Sequence, residues 1–167
     1  MAPVDAAVWQ QRVAALPIES FDTGARVLAE GSETGRLLIL RRGAVSIRKG
    51  GSEIARVAEP GAVFGELSAL LGQPHTADVD TLEPSEFHVA DAAQLLADPK
   101  ALLLVTTILA QRVVAANGAL IELKQQIEAG APPGLLEATA DKIVGLLSAI
   151  GTGYIRAGAG ITGYPFQ

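Results

Sequence analysis

Four residues between positions 65 and 76 have types and spacing suited to holding a charged small molecule: Gly65, Glu66, His75 and Thr76. A Pro60-Gly61 turn leads into them, and the apolar run Leu67 to Leu71 allows barely more than one helical turn before Gly72 and Pro74 stop it. The start of a helical turn presents backbone N–H groups without intrahelical partners, which is the physical recipe for holding a phosphate. Glu66 sits where a sugar hydroxyl could be bound, and Thr76 lies across the loop with a second hydroxyl. His75 is the residue best placed to supply positive charge, and an imidazole is mostly neutral at pH 7.

The elements that must position these residues are short strands. Between about residues 21 and 89 the segments 26–30, 36–42, 44–49, 53–58, 76–81 and 85–90 are separated by glycine and proline. Val45 and Ile47 alternate with Ser46 and Arg48, as Phe87 and Val89 do with Glu86 and His88. Gly50-Gly51 fits a two-residue hairpin turn, in which both central positions want positive φ. Many short strands at regular spacing predict an antiparallel sandwich or jelly roll, not a parallel sheet.

Helices flank this region on both sides. Asp5 can cap a first helix carrying Val8, Trp9, Val13 and Leu16, ended by Pro17. Asp91 caps a short helix through Leu96, and Asp98-Pro99 opens a long one reaching about Glu128. In the long helix, Leu102, Leu109, Val113, Ala116, Leu120, Leu123 and Ile127 form an apolar row. That row suits a partner helix from a second copy of the chain or the chain's own strands. Beyond it lie a linker over 129–134, a further amphipathic helix over 135–151 with Leu136, Ala140, Ile143, Leu147 and Ile150, and a glycine-rich tail over 152–167 expected to be flexible.

Composition narrows the function classes. The 167 residues suffice for one core, and 49% hydrophobic residues with only 4% aromatic imply an aliphatic one. Thirteen Lys and Arg against 18 Asp and Glu give a net charge of −5, which disfavours a general nucleic-acid or anionic-membrane binder. No cysteine is present, so disulfides and thiolate metal sites are excluded. The N-terminus is a poor signal peptide. The greasy stretch 101–116 is interrupted by Gln111 and Arg112 and is short for a bilayer span. A soluble cytoplasmic protein is expected.

Phe21, Gly24, Glu30-Gly31, Gly43, Val45, Pro60-Gly61, Phe64-Gly65-Glu66-Leu67, Ala69-Leu70, Pro74, Thr76-Ala77 and Val79 together make a pattern that resembles the cyclic nucleotide-binding domain family. This module occurs in catabolite-activator-type transcription factors, protein kinase A regulatory subunits and nucleotide-gated channels. The resemblance spans roughly residues 10–128. It implies an α+β fold, an antiparallel jelly-roll barrel flanked by an N-terminal helix (1–20) and a long C-terminal helix, the barrel and long helix together occupying 21–128. It also implies a ligand, cAMP or cGMP, held by the backbone of Gly65, Glu66 and Leu67 at the phosphate, by the Glu66 carboxylate at the ribose 2′-hydroxyl, and by His75, Thr76 and Ala77 across the loop.

Position 75 departs from the family pattern, which places Arg there. Arg is permanently charged and forks onto a phosphate, whereas neutral His offers a single donor. Loss of a charge-assisted pair costs about 1.5–3 kcal/mol, or roughly ten- to a hundred-fold in affinity. Arg36, Arg41, Arg42, Arg48 and Arg56 are candidates to replace it, although charges on strands usually face solvent.

Other motifs carry no chemistry. Gly158, Gly160 and Gly163 match a dinucleotide pattern but have no helix after them. His75 and His88 are isolated, Ser68 lacks a nucleophile setting, and no nucleophile–base pair stands out, so no catalytic residue, metal or cofactor is expected. From Gly130 onward the only basic residues are Lys142 and Arg156, too few for a DNA-recognition helix. The expectation is a stand-alone sensor or regulatory domain with a protein effector and a homodimer contact through residues 99–128. The alternative is a jelly-roll interaction or structural domain that has lost the nucleotide.

Overall fold

The structure is a computed structural model that describes residues 6–148, with side chains described from Trp9 to Ile143. In chain order the elements are α1 (Ala6–Ala14), β1 (Ile18–Phe21), β2 (Arg26–Leu28), β3 (Arg36–Arg42), β4 (Val45–Lys49), β5 (Ser52–Val57), β6 (Val63–Phe64), α2 (Glu66–Leu71), β7 (Asp78–Thr81), β8 (Ser85–Asp91), α3 (Ala92–Leu96), α4 (Pro99–Glu128) and α5 (Pro133–Ser148). Two four-stranded antiparallel sheets, ordered β1-β8-β3-β6 and β2-β7-β4-β5, form the body. The α+β architecture is therefore as the sequence implies, with two facing sheets in place of a closed barrel.

The continuous apolar run of β3 follows from burial on both of its faces. Leu38 and Leu40 point between the sheets with Leu28, Val45, Ile47, Phe64, Val79 and Phe87. Leu37 and Ile39 point the other way, under Trp9, Ala101, Leu104 and Ile108 of α1 and α4. Period-2 alternation needs one wet face, and β3 has none. Phe87, fully buried, meets the rings of Phe21 and Phe64 edge-on, with centroids 5.6 and 6.2 Å away.

Two turns require glycine. Gly50 and Gly51 have φ of 55° and 83°, as the primed hairpin turn requires. Gly65 has φ of 87°, and a Cβ there would lie 2.5 Å from the Arg36 carbonyl oxygen. Only glycine lets the chain leave β6, pass β3 and enter α2.

Several boundaries differ from expectation. β1 and β6 were not predicted, because four and two residues are too few to show a period. The first of them belongs to a segment assigned above to the N-terminal helix. β7 starts at Asp78, which leaves Thr76 and Ala77 in the loop, and Glu66 itself opens α2. Pro133 and Gly134, read as linker, form the first turn of α5, where proline's fixed φ and missing N–H are tolerated. The helical stripe of α5 turns inward at Leu136, Ala140 and Ile143, while Asp5 and the tail over 152–167 lie outside the described residues.

The long helix has two apolar faces. Its buried face is Ala101, Leu104, Val105, Ile108, Arg112, Ala116 and Ala119. Ala116, placed by sequence on the partner row, belongs to this face. Leu102, Val113, Leu120 and Ile127 of that row are exposed, so the row does not pack on the strands. By length and composition α4 would also be apolar enough to cross a membrane, yet its first turns are buried against α1 and the β1-β8-β3-β6 sheet.

Candidate functional site

The site lies where α2 and the loop before β7 close one end of the sheets. Gly65, Glu66, Leu67, His75, Thr76 and Ala77, all six residues singled out by sequence, line one cavity of about 40 Å³. Leu28, Ile47, Val63, Phe64, Ser68 and Val79 complete the wall. Such a volume holds a water or two, against roughly 300–1,000 Å³ for a ligand pocket.

Each polar member has a structural partner. His75 is only 5% exposed, and its Nε2 is 2.8 Å from the Thr34 hydroxyl. Backbone bonds from His75 N–H to Ser32 and from Gly31 N–H to His75, both 2.8 Å, zip the two loops together. Burial pushes the His75 pKa below its ordinary value, with the nearby Glu66 carboxylate pulling weakly the other way. The ring is thus held neutral at physiological pH and brings no fixed positive charge to the loop.

The arginines nominated as replacements are elsewhere. Arg36 pairs with Glu19, Arg41 and Arg42 with Glu86, and Arg56 with Glu53, all at the surface. Arg48 donates to the carbonyl of Gly51 at 2.6 Å. Glu86, gripped by Arg42 and Arg41, has its pKa lowered to about 2.

The arginine that does arrive comes from α4. Arg112 Nη1 donates to Glu66 Oε1 at 2.6 Å, with the two side chains 6% and 8% exposed. Sequence reasoning noted Arg112 only as a break in an apolar run. The signal was its spacing, four residues after Ile108 and four before Ala116, which puts a charge on the buried face. A buried charge needs a buried partner, and Glu66 is the acidic residue lining the cavity.

Among the described residues no group of three or more His, Cys, Asp or Glu side chains is placed to hold a metal ion. The cradle's parts are backbone amides beside Gly65, a carboxylate, the hydroxyls of Ser68 and Thr76 and a neutral imidazole, which suit recognition of a polar ligand.

Residues 18–97 match the family model of the cyclic nucleotide-binding domain, and this segment of the chain belongs to that family. No curated protein matches the sequence significantly. Among solved structures, the Thermus thermophilus catabolite activator protein is similar at 20% identity over 84% of this chain and 80% of that one, with a TM-score of 0.57. PKAR CBD2 bound to Sp-2Cl-cAMPS gives 23% identity over 79% and 82%, with a TM-score of 0.55. The regulatory subunit of a cAMP-independent protein kinase A from Trypanosoma brucei gives 20% over 65% of this chain but only 40% of that one, with a TM-score of 0.56. At these identities the likeness is one of fold.

Proposed function

We propose that the chain is a sensor domain that binds a cyclic nucleotide, cAMP or cGMP, weakly, and signals through its helices to a protein effector. The observation that carries this reading is the convergence of all six family-motif positions on one cavity. In this reading the amides of Gly65, Glu66 and Leu67 hold the phosphate, Glu66 accepts from the ribose, and Thr76 and Ala77 close the loop side. His75 stands at the phosphate without a charge, so affinity is reduced roughly ten- to a hundred-fold relative to an Arg. Isothermal titration with cAMP and cGMP at pH 6 and pH 8 tests it. Heat with micromolar to sub-millimolar affinity is expected, and no heat at millimolar ligand at either pH overturns it.

A second reading, a protein-interaction domain, is favoured by the exposed row Val113, Leu120 and Ile127, spaced at seven-residue steps along α4. The two readings meet if the row is a homodimer seam. Leu120→Asp should then convert dimers to monomers in sedimentation, and a monomeric wild type refutes the seam.

A further inference from the structure

Thr34 lies in the loop between β2 and β3, outside the motif positions, yet it is the side chain that meets the His75 ring. Its Oγ1 is 2.8 Å from His75 Nε2, and the same oxygen accepts from the Arg36 N–H at 3.3 Å. The contact joins two loops that backbone bonds already tie together, from Gly31 N–H to His75 and from His75 N–H to Ser32. On its other side the imidazole meets the turn into α2, where Cε1 would lie 3.4 Å from a Cβ added at Gly65. The ring is therefore held in one place, and the open matter is where its proton sits.

A neutral imidazole has one N–H and one bare nitrogen, and the bond made by either nitrogen decides which is which. A hydroxyl has a single proton to give and two lone pairs. One lone pair of Thr34 is taken by the Arg36 N–H, and the near partner for its proton is Nε2. With the hydroxyl donating to Nε2, all three groups are paired within the protein. With Nε2 donating instead, Thr34 would accept twice and its own proton would be left to solvent. The first arrangement puts the imidazole proton on Nδ1. Among the described residues Nδ1 bonds to no protein group and is not sealed from solvent, and His75 lines the cavity beside Thr76. Burial disfavours the imidazolium, so this neutral tautomer is the form that a ligand meets.

We infer that Thr34 is a positioning residue for His75: its hydroxyl donates to Nε2 and so fixes the imidazole as an uncharged donor that offers Nδ1–H to the cavity. At this point the wall then favours a ligand oxygen that accepts, phosphoryl or carbonyl, and disfavours a ligand hydroxyl or amino group that must donate, since that group would meet an N–H and stay unpaired. The selectivity rests on the proposed ligand site, whereas the tautomer does not.

The chain has two histidines, His75 and His88, so long-range proton–nitrogen correlation spectra of the ring nitrogens are uncrowded, and His75→Gln assigns them. In the intact chain at pH 8, the His75 nitrogen coupled strongly to both ring protons, Nε2, should have the downfield shift of a bare nitrogen, and Nδ1 the upfield shift of a protonated one. The opposite pattern, or an averaged pair, overturns the proposal without any variant having to fold. Thr34→Val, at an exposed position, removes the donor and should draw the two shifts together or exchange them, whereas Thr34→Ser should keep the wild-type pattern. An unchanged pattern in Thr34→Val would mean that the loops alone set the tautomer, and overturns the role of Thr34. In calorimetric titrations with cAMP, Thr34→Val should bind about threefold more weakly or worse, and Thr34→Ser like wild type. Equal affinity in Thr34→Val overturns the selectivity. If the tautomer follows Thr34 while cAMP binds none of the proteins, the hold of Thr34 on His75 stands and the nucleotide reading falls.

Discussion

The two ends of the cradle solve the same electrostatic problem in different ways. At the loop end, His75 sits neutral against the Thr34 hydroxyl, 41 residues away in sequence, fixed by backbone bonds to residues 31 and 32. At the helix end, a full charge pair, Glu66 and Arg112, is buried across elements far apart in sequence. The loop end holds no cation, because burial keeps the imidazole neutral. The helix end keeps one, and its geometry depends on where α4 lies. A neutral imidazole and a buried ion pair therefore occupy opposite sides of a single small cavity.

The largest effect expected from breaking this arrangement is at the helix end. A buried carboxylate deprived of its partner costs about 3–5 kcal/mol, and local opening of α4 and α5 relieves that cost by letting water reach Glu66. Amide hydrogen exchange over residues 113–143 of Arg112→Gln should accelerate tenfold or more, with β3 and β8 unchanged, since local opening exposes only the released unit. Uniform acceleration across the chain would mean that the pair supports the whole fold.

Gly65→Ala comes next. The left-handed φ and the approach of a Cβ to within 2.5 Å of the Arg36 carbonyl leave no room for a side chain. A loss of more than about 2 kcal/mol in urea unfolding is expected. Retention of full stability would show that the β6–α2 turn can relax.

At the loop end the changes are smaller. His75→Arg restores a permanent charge and should raise cAMP affinity by about tenfold, close to 1.4 kcal/mol, in calorimetry. Unchanged affinity would place the deficit at Glu66 and its ion pair with Arg112. The smallest effect is that of pH. Because burial lowers the His75 pKa in the folded chain, the unfolded chain takes up the proton first. The stabilisation is then full above about pH 6.5, the unfolded value, and is lost as pH falls toward the folded value. Urea midpoints at pH 7.5 and pH 5 should fall further for wild type than for His75→Gln, and parallel falls would contradict the assignment.

The same division separates what sequence revealed from what it hid. Gly65, Gly50-Gly51, the Asp91 and Asp98 caps and Pro99 state their conformations locally, and the structure has the turns and helix starts they imply. The Asp91 side chain accepts from Gln94 N–H and Asp98 from Lys100 N–H, as capping residues do. By contrast, β6 was too short to show a pattern, and β3 lost its alternation because helices cover its second face. The Glu66–Arg112 pair spans 46 residues, and no local rule pairs two such positions. Arg112 was visible only as a charge on an apolar face, which states that a partner exists without naming it.

The central claim, that these residues form a ligand site, is tested most directly by an amide NMR titration of the intact chain with cAMP. The account predicts shifts concentrated at Gly65, Glu66, Leu67, Thr76 and Ala77, together with Arg112 and the α4 residues after it. Shifts absent at millimolar cAMP, or confined to surfaces away from this cavity, would contradict it.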